Sequence, residues 1–317
     1  MKAAVVRGAG EGPVYVDFDR PAPLAGHRIV DVTASALSHV TRSKAAGSHY
    51  SSKGAFPFVA GLDGTGRQED GRRVYFFLPH APFGSMAEQC RVPEANCVAL
   101  PDAIDDVTAA ALAIPGMSSW AALVERARFV AGETVLVNGA TGTSGRLAVQ
   151  IAKHLGAAKI VATGRNATAL ASLEQVGADV TISLDQDADA LSRAFEAQFR
   201  DKVDVVLDYL WGASALSLLV AAARTLADDR PLRFVQIGAI SGAEVPLPAA
   251  VLRAAPISLL GSGIGSIAPA QILHAMQQVF DVAASAHWQI ATETRPLAEV
   301  GEHWGNHSSR HRTVFIP

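Results

Sequence analysis

The chain has 317 residues, 49% of them hydrophobic and 18% charged, with a formal net charge of -3. That length suits two domains, and the balance is that of a globular protein rather than a disordered one. The slight acidity argues against nucleic acid as a partner, since such surfaces carry clustered Lys and Arg. The opening MKAAVVRGAGEG is too short in its apolar part for a signal peptide. No apolar run is expected to reach membrane-spanning length, 255–269 being broken by Pro256, Gly261, Gly263 and Gly265. Cys90 and Cys97 fit neither a metal knuckle nor a redox pair, and so few cysteines predict a reducing cytoplasm.

Residues 1–115 read as β-rich. Short apolar runs (MKAAVV, RIVDVTAS, RRVYFFL, MAEQCRV) are separated by Gly, Pro and charged residues. From about 133 to 262, strand-like TVLVN, KIVAT, VDVVLD, LRFVQIG and ISLLG alternate with helix-like segments. That alternation predicts a parallel sheet with helices on its faces. Past 270, QILHAMQQVFDVAA is an amphipathic helix and TVFI a closing strand.

The stretch VLVNGATGTSGRLAVQIAKHLGA, residues 135–157, carries the most chemistry. A buried strand turns through Gly139, Gly142 and Gly145 into a helix with Leu147, Ile151 and Leu155 on one stripe and Gly156 as its stop. This is the strand–turn–helix setting of a Gly-x-Gly-x-x-Gly signal, with Ala140 in place of the first Gly. The absent side chain at Gly142 lets backbone approach a pyrophosphate. Gly145 lets the helix pack on the strand, and the N–H groups around Thr143 and Ser144 face the anion. A plain βα turn is the alternative, but the turn opens a run of alternating elements, which favours a dinucleotide cofactor.

After KIVAT come Gly164, Arg165 and Asn166, with no Asp or Glu between Glu133 and Glu174. An NAD site usually places an acid here for the ribose 2′-hydroxyl, whereas Arg165 can pair with a 2′-phosphate. NADP is therefore expected. Ligands bind outside the carboxyl ends of such strands, which nominates Tyr209, Gly238, Gly261, Ser262 and Gly263 as cofactor neighbours. Ordinary turn chemistry is the alternative for each, as packing is for Trp211.

With these residues placed, the chain resembles the medium-chain dehydrogenase/reductase superfamily, specifically its zinc-free quinone oxidoreductase-like branch. AGLDGTG (60–66), GMSSWAAL (116–123), the glycine turn, VDVVLD (203–208) and the closing TVFIP carry the resemblance in order. It implies an α/β fold: a Rossmann doubly wound parallel sheet domain plus a β-rich GroES-like catalytic domain. The implied divisions are 1–115 (catalytic), 116–280 (NADP-binding) and 281–317 (return to the catalytic domain). Ser118, where many relatives have Thr, joins the implied cofactor contacts.

Zinc-dependent relatives use a Cys and a Gly-His-Glu triplet. Here the resemblance puts Ser38 at the Cys and Leu62 and Asp63 at the His and Glu, so no metal is expected. The structural zinc loop with its four Cys is absent too, and His39 and His49 stand nearby without further ligands. Within the branch this chain departs from its relatives: 66–74 is short, many have Asn at Ser38 and Tyr at Leu184, and a Tyr near 43 is Ser43. Tyr50 and Ser38 are the candidate hydrogen-bond donors to substrate, with Ser38 also a candidate nicotinamide or ribose contact. The resemblance implies a zinc-independent NADPH-dependent oxidoreductase acting on a small electrophile, a quinone or an activated C=C (enone or enal). An enoyl-thioester reductase and a non-catalytic NADPH-binding structural or regulatory protein are the alternatives. A homodimer is implied, with PISLLG (256–261) as the pairing edge; neither nucleic acid nor membrane is expected as a partner.

Overall fold

Strands dominate the first hundred residues because β-branched and aromatic residues come there in short runs between turn formers. The computed structural model describes residues 1–50, 55–306, 308 and 311–317. Its first elements are β1 (Lys2–Val6), β2 (Val14–Asp17), β3 (His27–Ala36), α1 (His39–Ala45), β4 (Phe58–Val59), β5 (Asp63–Gln68), β6 (Arg73–Phe77), β7 (Gln89–Pro93) and β8 (Cys97–Ala99). Helix α2 (Asp106–Ala121) follows. The alternating part comprises β9 (Thr134–Asn138), α3 (Thr143–His154), β10 (Lys159–Gly164), α4 (Ala167–Ala171), β11 (Val180–Ser183), α5 (Ala188–Asp201), β12 (Val205–Asp208), α6 (Gly212–Thr225), β13 (Leu232–Gln236), α7 (Val251–Ala254) and β14 (Ile257–Gly261). The chain ends with α8 (Pro269–Ala286), β15 (Thr292–Pro296), α9 (Val300–His303) and β16 (Arg312–Ile316). Two units result: Met1–Ile114 with Met276–Pro317, and Pro115–Ala275.

In the second unit the strand order is β11-β10-β9-β12-β13-β14, and every pairing is parallel. This is the doubly wound order, with the chain reversing its direction of growth between β9 and β12. All five residues of β9 are buried, as a central parallel strand requires. On one face Leu136, Val161, Val206 and Phe234 pack with Phe195 and Phe199 of α5 and Leu218 and Leu219 of α6. Parallel pairing places the carboxyl ends of all six strands along one edge of the sheet, so every glycine-rich turn predicted from sequence lies on that edge.

In the first unit, β15-β16-β3-β5-β6-β8 form one sheet with β7 also paired to β3, and β2-β1-β4 form a second. The C-terminal β16 is inserted beside β3, with Val314 opposite Ala36 and Phe315 opposite Ser35.

Strand β11 gives no apolar run in sequence because its Val180, Thr181 and Ser183 are only half-buried at the sheet edge. One expectation needs amendment, that of membrane length: Asp106–Arg126 is long and apolar enough by composition to span a membrane. Most of it is buried within the protein, which accounts for its apolar surface without a bilayer.

Candidate functional site

The glycine turn is built as the spacing requires. Gly139 has φ +92°, a left-handed conformation that favours glycine, and its N–H bonds Thr163 Oγ1 at 3.1 Å. A Cβ on Gly145 would lie 2.3 Å from the Gly139 carbonyl oxygen and 2.6 Å from the Ala140 Cα, so only glycine permits this approach of α3 to β9. Gly142 is different. A Cβ there would meet nothing nearer than 3.9 Å, so the protein itself does not require glycine. Gly142 is also the N-cap of α3 and offers no side-chain acceptor. The first-turn N–H groups of Thr143, Ser144 and Gly145 are thus left without a side-chain cap, with open space beside Gly142. This cradle fits a pyrophosphate.

A polar ladder that sequence reasoning missed ties the strand ends together. Thr163 Oγ1 donates to Asn138 Oδ1 at 2.7 Å, and Asn138 Nδ2 donates to Asp208 Oδ1 at 2.8 Å and to Ser214 Oγ at 3.0 Å. The ladder crosses β10, β9 and β12, and it holds Gly139 through Thr163. Burial pushes the Asp208 carboxyl up, and the bonds from Asn138, Leu210 N–H and Trp211 N–H oppose that. Trp211 has φ 56° and ψ -154°, a region normally kept for glycine, and its N–H reaches both Asp208 oxygens at 3.2 and 3.1 Å. Its indole packs edge-on to Phe234 at 6.5 Å.

The remaining predicted contacts divide. Gly164 ends β10, and a Cβ on it would strike Thr141 Cγ2 at 2.3 Å. Arg165 is exposed and makes no hydrogen bond or ion pair among the described residues. Asn166 caps α4, its Oδ1 accepting from Ala169 N–H at 2.9 Å. The Leu184 N–H bonds the Gly164 carbonyl at 2.8 Å, so the position where relatives carry Tyr borders this turn.

Tyr209 is buried, and its phenol lies 2.7 Å from Ser119 Oγ, a pairing that sequence reasoning missed. Ser118 and Ser119 both donate to the Pro115 carbonyl, at 3.1 and 2.8 Å. Burial pushes the Tyr209 phenol well up, so it stays protonated. Gly238 packs on the Tyr209 carbonyl, where a Cβ would sit at 2.6 Å. Gly261 has open space around it, Ser262 is buried, and the Gly263 N–H bonds Ser266 Oγ at 2.8 Å.

In the first unit Ser38 is buried and caps α1: its Oγ accepts from Thr41 N–H at 3.0 Å and lies 2.8 Å from Thr41 Oγ1. Tyr50 is 72% exposed, with its ring 4.2 Å from that of His49. Leu62 and Asp63 are buried. The Tyr75 hydroxyl donates to Asp63 Oδ2 at 3.1 Å, and burial pushes the carboxyl up to about 7 against the pull of Arg312 and that bond. A hydroxyl already capping a helix, an isobutyl group and a single carboxyl do not fit zinc. Among the described residues no three His, Cys, Asp or Glu side chains converge as a metal site.

Comparison with known proteins bears on the family. The Zinc-binding dehydrogenase family model matches residues 145–284, a segment without Ser38, Leu62 or Asp63. The chain is 28% identical to a probable NADPH-dependent quinone reductase of Emericella nidulans over 96% of both proteins. It is 30% identical to the 2-methylene-furan-3-one reductase of Solanum lycopersicum over 57% of this chain and 48% of that one. The crystal structure of the Pseudomonas syringae quinone oxidoreductase superposes over all of both chains with a TM-score of 0.85 at 26% identity. The doubly wound order, the glycine cradle and these likenesses together support the medium-chain dehydrogenase/reductase superfamily, in its quinone oxidoreductase-like branch.

Proposed function

We propose that the chain is an NADPH-dependent oxidoreductase that reduces a quinone or a carbon–carbon double bond conjugated to a carbonyl, without zinc. The observation that carries this reading is the contrast within the turn. Gly145 is required by packing, while Gly142 is required by nothing in the protein and leaves room at an uncapped helix start. Thr143, Ser144 and Gly145 would hold the pyrophosphate, and Arg165 the 2′-phosphate. Bound there, NADPH supplies hydride.

The donor set at Ser38, Leu62 and Asp63 offers no Lewis acid, and alcohol oxidation needs a means of removing the hydroxyl proton. An enone or quinone needs none, because negative charge spreads onto a distant oxygen that one hydroxyl can stabilise. Tyr50 is the first candidate for that hydrogen bond, being exposed. Ser38 is the second, since its hydroxyl already serves α1. The quinone and furanone reductases among the relatives support this substrate class. The acceptor is thus a small electrophile.

The reading includes a cytoplasmic homodimer. Strand β14 ends the sheet with Leu259 39% exposed, and pairing with a second copy would cover that edge. Light scattering at micromolar concentration tests the dimer, where a monomer mass would refute it. NADPH oxidation with small quinones and enones tests the activity. An NADPH-binding protein without turnover would bind and not react.

A further inference from the structure

Three buried polar groups of the first unit are not used by the reading above. Asp63 begins β5, Tyr75 lies in β6 and Arg312 begins β16. Asp63 and Tyr75 are fully buried, and Arg312 is 9% exposed. Tyr75 serves Asp63 Oδ2 alone. Asp63 Oδ1 and Arg312 Nε and Nη2 are buried and carry no hydrogen bond. Each group feels the other's charge, yet no ion pair joins them among the described residues. A carboxyl and a guanidinium, both removed from water and both with unused atoms, are costly unless they can meet.

The strand register shows what such a meeting would hold. Ala34 stands opposite Thr65 of β5, so the same antiparallel register puts Asp63 beside Ala36. On the other side of β3, Val314 of β16 stands opposite Ala36, and Arg312 precedes it by two residues, on the same face. Ala36, which lies between them on that face, has only a methyl group and packs with Ala110, Ala111 and Val314. One residue further along, the Leu37 N–H donates to the Thr313 carbonyl at 2.9 Å, and Ser38 follows as the cap of α1. Whatever fixes the start of β16 therefore fixes the backbone that presents Ser38.

We propose that Asp63 and Arg312 form a charge-dependent tie across β3 that sets the position of the Leu37–Ser38 segment, with Asp63 acting as a positioning residue. The ionised carboxylate draws the guanidinium in and secures β16 against β3. The protonated acid keeps its bond from Tyr75 and releases Arg312. The charged and titratable groups facing this pair are Tyr75 from β6 and Arg42 from α1. Tyr75 stays neutral because burial pushes its phenol well up, and its ring is backed by the apolar Phe280 of α8 at 5.3 Å. Asp63 is thus the group of this cluster that changes charge near neutrality. For its effect on turnover the inference rests on Ser38 belonging to the reduction site; the tie itself does not.

Hydrogen exchange at the Leu37 amide tests it on the full chain, from about pH 5.5 to about pH 8.5, after correction for intrinsic exchange. Protection should rise about tenfold through the neutral range in the wild type, the effect of one unit of pKa coupling. It should be flat in Asp63→Asn and in Arg312→Gln. The kcat of the wild type with an enone or quinone should follow the same inflection while NADPH affinity does not. A wild-type protection profile without an inflection overturns the tie even if neither variant folds, as does an inflection that persists in Asp63→Asn. A protein with the inflection and no turnover would instead refute the reduction reading and leave the tie standing.

Discussion

The Asn138 side-chain amide donates to the buried Asp208 carboxyl at 2.8 Å, joining the carboxyl ends of the two strands between which the doubly wound sheet reverses. The same amide accepts from Thr163, which in turn holds the Gly139 N–H. The glycine turn is therefore pinned from below by side chains rather than by backbone alone. Asn138→Ala leaves a buried carboxyl and a buried hydroxyl short of a partner, and should destabilise the protein by about 3 kcal/mol. Urea unfolding would show this as a lower midpoint at unchanged slope. A midpoint equal to that of the wild type would mean the ladder carries little.

The two glycines of the turn should respond in opposite ways. Gly145→Ala drives a methyl group to 2.3 Å from the Gly139 carbonyl, so the helix must shift and the fold should lose stability. Gly142→Ala meets nothing nearer than 3.9 Å, so the fold should be unharmed while NADPH binding is lost. Thermal melts and cofactor titrations on the two variants separate these effects. Full NADPH affinity in Gly142→Ala would remove the main support for the cradle.

Arg165 is exposed and has no ionic partner among the described residues, so its removal should cost the fold nothing. Loss of one charge-assisted contact should weaken NADPH binding by about 1.5–3 kcal/mol and leave NADH binding alone. Equal affinity of the wild type for the two cofactors would contradict the assignment.

How much of this was legible in sequence follows from where each signal lies. Gly139, Gly142 and Gly145 could be read because their spacing follows from backbone geometry and their neighbours form a buried strand and an amphipathic helix. Asn138, Thr163 and Asp208 could not, because they meet across three strands and each looks like an ordinary polar strand end. The Ser119–Tyr209 pairing could not be read, because which way a helical serine faces is a rotation that composition does not reveal. Trp211 shows no sequence sign of its left-handed backbone, which the Asp208 carboxylate supports. The one available signal was Gly212 beside it, which also has positive φ.

Asp63 makes stability depend on pH in a direction opposite to that of most carboxylates. Burial raises its folded pKa from 3.8 to about 7, so between those values the native state holds a proton that the unfolded chain has released. Stability therefore falls as pH rises through that window, by on the order of 4 kcal/mol if the full shift is realised. Asp63→Asn cannot ionise and should lack this contribution. The difference in unfolding free energy between the two proteins, followed from about pH 4 to about pH 8, should change in favour of the variant. A constant difference would show that the carboxyl is ionised throughout.

The most direct test of the whole account is steady-state NADPH oxidation with a panel of quinones, enones and simple alcohols, with products identified and repeated after chelator treatment. Hydroquinones or saturated ketones are expected, formed at a rate that chelation does not change. Efficient NADP-linked oxidation of simple alcohols, with enones and quinones untouched or with activity lost to the chelator and restored by zinc, would contradict it.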